Sequence, residues 1–595
     1  MSGDGLNLER REWALIAFVW LGTVAVMVYR LIAASDVQPL FADTDDAMRL
    51  VFARDFLNGQ PWFDFIAHRL NTPFGAELHW SRFVDLPIAA LLAVSTWLFG
   101  PSAAMVVTGA VWPLLLLAVL LYFSVRITKV LVGPEGVLPA ALLPVLNPAL
   151  MAEFSPGRLD HHNVVLLLTL ATVLATLIGQ RRAVGAWLAG FFAAFALAVA
   201  IEALPLVAGA IFAFGLAYVL DVQKRSAVAR FGSSFALSSV FFLATARLPA
   251  RWLEAACDMI SPVYVLAAVL VGVSYLAVAL LPQQKSAPAR LSLLALFGAG
   301  TVCILYLLYP QCLQGPYSAM HPWLQANWLG NIVEARPWHL SLEDNAVYAL
   351  VVAVPVVLGL IIGTVALKRG DKADLWLALL CFLALASLAM LFQIRGARLA
   401  TILSVPMAAW LIVGARKHYL RRSSLASVLG LIASWLATAG VALMLVFNSV
   451  VALISNGQTD QASLDRATRQ ECLLPEAFVD LAGLPPERMM TPIDLGAHMM
   501  LYTPHHVVAA PYHRNEDGVL DAFRFFRRGA AEALDIARKR GLSTVVTCPA
   551  MPEMRSKDTD DDQSLLVLIA EGRLPDWLSE VPVVGPLKVY AIAPE

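Results

Sequence analysis

The chain has 595 residues, of which 59% are hydrophobic and 15% charged. A water-soluble chain of that length does not carry such a composition, and a formal net charge of −1 leaves no basic footprint for nucleic acid. The apolar residues instead fall in repeated runs of roughly 17–25, the length that crosses a bilayer as a helix.

In chain order, thirteen runs are expected to span: 13–34, 102–125, 137–153, 163–179, 184–200, 204–220, 230–247, 262–281, 291–309, 347–367, 373–393, 397–415 and 425–454. Arg10 and Arg11 precede the first run and no small-residue cleavage site follows it, so Trp13 to Ala34 reads as a retained helix. The stretch 86–100, flanked by Pro87 and Pro101, is short and reads as a helix lying at the interface. With that count, Arg126 and Lys129, Arg181 and Arg182, Lys224 and Arg225, Lys368 and Arg369, and Arg416 and Lys417 all fall in loops on one side. Lys and Arg concentrate in cytoplasmic loops, which puts the N-terminus inside and, after an odd number of spans, the C-terminus outside.

Four outer pieces follow: a first loop 35–101, a short loop 154–162, a fifth outer loop 310–346, and a polar segment from 456. The expected division is a membrane domain 1–455 and a small C-terminal domain 456–595. In the latter, Met489 to Leu495, His506 to Ala510, Thr544 to Cys548 and Leu587 to Ile592 read as strands, and Asp517 to Arg540 as an amphipathic helix, giving an α/β fold. Cys303 and Cys381 sit inside apolar runs as packing residues, while Cys257, Cys312, Cys472 and Cys548 fall outside the cytoplasm, where Cys472 and Cys548 are a candidate pair.

Chemistry concentrates in the outer pieces. Asp160-His161-His162 lies in a short loop between two apolar runs, and a carboxylate with two imidazoles is metal-ligand chemistry. Asp43-Thr44-Asp45-Asp46 follows the first run; acids there also offset a helix macrodipole. Asn331-Ile332-Val333-Glu334 lies in the fifth outer loop beside Arg336, which is a ready ion-pair partner. Arg395 and Arg398 stand at the outer end of a run, where guanidinium groups snorkel or grip a phosphate. Hard cations take oxygen ligands, and an imidazole among them favours Mn²⁺ over Mg²⁺.

These motifs resemble those of the oligosaccharyltransferase catalytic subunits, membrane glycosyltransferases of GT-C type. The resemblance implies a polytopic α-helical fold of about thirteen helices with a small C-terminal periplasmic α/β domain. Asp45 with Ala53-Arg54-Asp55 is similar to the first-loop aspartate motif, and Asp160-His161-His162 to the archaeal form of the second motif. Glu334 ends a stretch similar to the fifth-loop motif, and Arg398 matches the arginine that grips the donor phosphate, with Arg395 as a competitor. By that resemblance Asp45, Asp160, His162 and Glu334 hold the metal, and Asp45 or Glu334 acts on the acceptor nucleophile. The family's Trp-Trp-Asp-Tyr-Gly sequon reader is replaced by Thr491-Pro492-Ile493-Asp494-Leu495-Gly496. Asp494, with His513 and Arg514 further on, then stands as the candidate acceptor contact for a sugar or phosphate.

The expected activity is glycan transfer from a polyprenyl-(di)phosphate donor to a protein, glycolipid or glycan acceptor at the periplasmic face of a bacterial inner membrane, with Mn²⁺ or Mg²⁺. Within the class, the rival is an enzyme using a polyprenyl-phosphate monosaccharide to modify a glycolipid or polysaccharide. Outside it, the rival is a transporter or flippase, which keeps ionisable residues near mid-bilayer and commonly shows internal repeats; here the acids lie at run ends and no repeat is found.

Overall fold

The computed structural model describes residues 8–454, 467–554 and 563–594. The chain divides into two compact units. One comprises Met1–Ala25, Leu114–Ser155 and His161–Gly457; the other comprises Val26–Pro113, Pro156–Asp160 and Gln458–Glu595. The boundary expected near 455–456 falls outside the described residues.

The first unit is helical. Across the described residues of the whole chain, eleven helices are long and apolar enough to cross a membrane, and a twelfth if one bent pair counts as a single span. Each of the thirteen expected runs is helical, with differences that have local causes. The run 137–153 is two pieces, Val137–Val145 and Pro148–Glu153, because Pro148 has no N–H to continue a helix and the Asn147 side chain caps the new one at Ala149 and Leu150. The run 425–454 bends by 92° between Leu425–Leu436 and Gly440–Leu453. At that corner Gly440 packs so tightly on Pro148 that a Cβ would stand 2.8 Å from its Cδ. Ala183–Val199 is a shorter apolar helix of 17 residues. A disulfide joins Cys257 to Cys312.

The second unit mixes helices with two small sheets. The stretch expected to lie at the interface is a full helix, Arg82–Phe99, long and apolar enough to span. Pro87 lies inside this helix, past its first turn, where its missing N–H leaves the Phe83 carbonyl without its helical donor. Strands β1 (Ile66–Ala67) and β2 (Ala76–Glu77) form an antiparallel hairpin. The C-terminal sheet has five strands, β3 (Arg488–Met490), β4 (His506–Val507), β5 (Thr544–Thr547), β6 (Leu578–Val581) and β7 (Lys588–Ile592), in the order β4-β3-β5-β7-β6. β3 pairs in parallel with β4 and β5, while β7 runs antiparallel to β5 and β6.

Two C-terminal expectations change. The strand read over Met489 to Leu495 stops at Met490, and the helix Ile493–Tyr502 starts just after Pro492. The helix read over Asp517 to Arg540 is two, Glu516–Arg527 and Ala530–Arg540, separated at Arg528-Gly529. Cys472 and Cys548 are disulfide-bonded.

Candidate functional site

In the mixed unit, the first acidic cluster begins a helix. Asp43 caps Thr44–Leu57 by accepting the Asp45 N–H at 3.0 Å, so Asp45 sits in the first turn, where the helix dipole favours negative charge. Asp46 is 1% exposed. Its Oδ1 accepts the backbone N–H groups of Leu159 and Asp160 at 2.7 and 2.9 Å, and its Oδ2 takes Arg158 at 2.9 Å. Arg158 also reaches Asp43 at 2.7 Å. Burial pushes the Asp46 carboxyl up to about 7 against the pull of Arg158. Asp43 ends below the usual carboxylate range: burial would raise it, but Arg158 and the Asp45 N–H outweigh that effect.

The chain reaches this cluster through Gly157, at φ +97°, whose missing Cβ would lie 1.8 Å from the Leu40 carbonyl oxygen; no other residue fits there. Arg49, fully buried, donates to Asp85 at 2.7 Å, lies 4.1 Å over the Trp80 ring, and stands 3.7 Å from Asp160. Asp85 also takes Arg82 at 3.2 Å. Tyr512 donates to the Thr44 carbonyl at 3.0 Å. Burial and then the Asp45 carboxylate hold its phenol well above the usual range. Arg158, Arg49 and Asp85 were not anticipated as site residues, and Asp46 was read only as a member of the acidic cluster 43–46.

The C-terminal candidates also lie in this unit. Asp494 pairs with Arg469 at 2.7 Å, and its backbone N–H donates to Glu553 at 2.8 Å. Burial raises both carboxyls, Glu553 to about 8. Gly496 admits no side chain, because a Cβ would stand 1.9 Å from the Ala509 carbonyl oxygen. His513 lies with its ring 4.6 Å from that of His79, and Arg514 stands 3.7 Å from Glu77.

In the helical unit, the remaining candidates form two ion-paired groups. His162 starts the helix His162–Gly179, and its Nδ1 lies 3.1 Å from Glu202. The other Glu202 oxygen takes Arg395 at 2.7 Å. Arg398 bonds Glu153 through Nε at 2.9 Å and Glu334 through Nη2 at 2.6 Å. Arg395 and Arg398 stand at the head of one long helix, Ala397–Arg421, entered by the turn Ile394–Gly396. Glu334 and Arg398, assigned separate tasks from the sequence, are direct partners here. Glu202 and Glu153 went unnoticed; the signal was an acid set among apolar neighbours at the end of an apolar run. Along the consecutive residues Asp160, His161 and His162, one ligand atom from each lies within 4.8 Å of the others. One carboxylate oxygen and two imidazole nitrogens suit Mn²⁺ better than Mg²⁺.

No protein-family model matches the chain, and no curated protein does. Solved structures do match. The archaeal oligosaccharyltransferase AglB from Archaeoglobus fulgidus, in complex with an inhibitory peptide and a dolichol-phosphate, aligns with a TM-score of 0.66 and 13% identity over 97% of this chain and 74% of that one. The apo form of an oligosaccharyltransferase from the same organism aligns at 0.61 and 14% over 90% and 69%. Its complex with Zn and sulfate aligns at 0.57 and 14% over 97% and 73%. What is shared at such identities is the fold: a polytopic helical membrane protein with a small C-terminal sheet domain, as the motif resemblance implied.

Proposed function

We propose that the protein is a metal-dependent membrane glycosyltransferase. It moves a glycan from a polyprenyl-(di)phosphate donor to an acceptor at the periplasmic face of a bacterial inner membrane, with its N-terminus cytoplasmic and its C-terminal domain periplasmic. The observation that carries this reading is Arg398, a guanidinium at the head of a long apolar helix, held through Nε by buried Glu153 and through Nη2 by Glu334 from an exposed turn. A guanidinium edge matches a phosphate as well as a carboxylate, so an entering phosphate can take the place of Glu334. The dolichol-phosphate bound to the archaeal structure of the same fold supports a lipid phosphate as that ligand.

In this reading Arg398 orients the donor phosphate and Arg395 adds a second positive charge. Asp45, Asp160 and His162, with Glu334, are the proposed ligands of Mn²⁺ or Mg²⁺, on the strength of the motif resemblance and of the donor atoms at 160–162. The cation offsets charge on the leaving phosphate when bound. Asp45 or Glu334 orients the acceptor and receives its proton.

For the acceptor, a lipid-linked or polysaccharide glycan is the better reading. By the motif resemblance, the place of the sequon reader corresponds to the start of Ile493–Tyr502, where Ile493 and Leu495 are buried, Gly496 is pressed on a backbone carbonyl and Asp494 is paired with Arg469. Asp494, His513 and Arg514 remain the proposed acceptor contacts. Mass spectrometry of lipids that co-purify with the protein tests the donor assignment. A polyprenyl-linked glycan should accompany the wild type and be lost from R398A. A wild-type protein that neither carries such a lipid nor transfers sugar from one when Mn²⁺ is supplied refutes the reading.

A further inference from the structure

We infer that Glu202 is a positioning residue that fixes the tautomer of His162, presenting its Nε2 lone pair to a cation while anchoring Arg395; the cation part rests on the function proposed above. Glu202 occupies the turn Ile201–Ala203 between the helices Ala183–Val199 and Leu204–Leu220. Its neighbours in sequence are Ala200, Ile201, Ala203 and Leu204, so it has no local polar partner of its own. Both its oxygens are engaged at a distance: Oε2 lies 3.1 Å from His162 Nδ1, and Oε1 lies 2.7 Å from Arg395 Nη1.

The chemistry of that contact dictates where the ring proton sits. An ionised carboxylate only accepts hydrogen bonds, so the ring nitrogen facing it must be Nδ1–H. In a neutral imidazole the other nitrogen, Nε2, then carries the lone pair that a metal requires. A carboxylate behind a histidine also makes the ring a stronger ligand and stops its rotation. His162 has a side chain that is 9% exposed, so it cannot trade Glu202 for bulk water. One carboxylate thus serves two groups of the proposed site, the histidine on one oxygen and the phosphate-side arginine on the other.

The isosteric change Glu202→Gln separates this role from packing. Arg395 only donates, so the carbonyl oxygen of the introduced amide must face it, and the amide NH₂ then faces His162. That NH₂ donates to Nδ1, which drives the ring proton to Nε2 and removes the lone pair. The test uses the full-length protein in detergent. Mn²⁺ binding is measured by calorimetry for wild type, E202Q, H162A and the double variant, and the ring nitrogens are read by ¹⁵N NMR with selective histidine labelling, H162A identifying the signal. E202Q should weaken Mn²⁺ binding about 10–100-fold. It should add less than about twofold to the loss in an H162A background, since groups that act through one another are not additive. Metal-free wild type should show the Nδ1–H tautomer, and E202Q the Nε2–H tautomer with an unchanged melting midpoint. A wild-type ring protonated on Nε2, an E202Q protein that binds Mn²⁺ as the wild type does, or an equal loss in both backgrounds overturns the inference. A wild type that shows Nδ1–H but binds no Mn²⁺ sinks the cation reading and leaves the hold of Glu202 on His162 standing.

Discussion

Replacing Asp46 with Ala should release the 158–160 stretch from the helix it is bonded to. The Asp46 carboxylate accepts two backbone N–H groups, from Leu159 and Asp160, and Leu159 is 0% and Asp160 2% exposed. Removing the acceptor strands two buried donors, and each costs about 1–3 kcal/mol. The Arg158 pair adds less, because Asp43 still holds that guanidinium at 2.7 Å. The loss is therefore about 2–6 kcal/mol, and at about 1.36 kcal/mol per factor of ten the smaller figure already means roughly 30-fold faster exchange. Hydrogen–deuterium exchange followed by mass spectrometry reads this directly in peptides covering 156–161. Asp46→Asn should differ sharply from Ala. Both N–H groups converge on one oxygen, Oδ1, so an amide carbonyl can keep both bonds and give up only the Arg158 contact. Exchange at Leu159 and Asp160 that is the same in D46A as in wild type would refute the reasoning, and equal effects of Asn and Ala would show that the ion pair dominates.

Further outcomes follow from the same geometry. Burial lowers His498 from 6.5 to about 4 while it bonds the Phe41 carbonyl at 2.7 Å. The folded state then binds fewer protons than the unfolded one between those values, so stability is lost as pH falls from about 6.5 to 4, by roughly 3 kcal/mol; melting midpoints across that range should fall less steeply for H498Q. Gly496→Ala should fail to fold or melt far below the wild type, since its Cβ would lie 1.9 Å from a backbone oxygen. A stable G496A protein with impaired transfer would instead assign Gly496 to acceptor recognition. Arg398→Lys replaces two separately engaged nitrogens, Nε and Nη2, by a single ammonium and should raise the KM for a lipid-phosphate donor about tenfold or more, read in steady-state transfer assays. Asn-X-Thr peptides should be poor acceptors beside lipid-linked glycans, because discrimination by a hydroxyl needs positioned partners; efficient peptide transfer that is lost when Thr becomes Ala would contradict this.

What was legible in the sequence follows from what is local. Spanning helices announce themselves by run length, and Asp160-His161-His162 by its isolation between apolar runs. What holds those residues was not legible, because Arg158 and Asp46 are 112 positions apart and Arg49 and Asp85 are 36 apart. Nothing in either segment marks its partner. Proline placement could have divided the 137–153 run, where Pro144 and Pro148 sit four residues apart. The strand read over Met489 to Leu495 failed because an apolar stretch carries no period to tell a buried strand from a buried helix, and Pro492 settles the matter only when read as a helix entry. Gly496 closes the stretch read as standing in for the sequon reader; the reason for a glycine there is a close approach to Ala509, visible only in three dimensions.

The ion pairs of the helical unit bear on how the proposed donor would enter. Two guanidinium groups at a helix end near the bilayer are costly unless neutralised, and each here has a carboxylate. The two acids on Arg398 are not equivalent. Glu153 is 5% exposed and is fixed at the end of Pro148–Glu153, whereas Glu334 is 42% exposed on a short turn, Val333–Ala335. Only Glu334 can leave without stranding a buried charge. Replacing it by a phosphate keeps Arg398 neutralised and frees a glutamate that the proposed mechanism requires elsewhere. Donor entry and release of Glu334 then become one exchange, in which Glu153 holds the guanidinium at Nε while Nη2 changes partners.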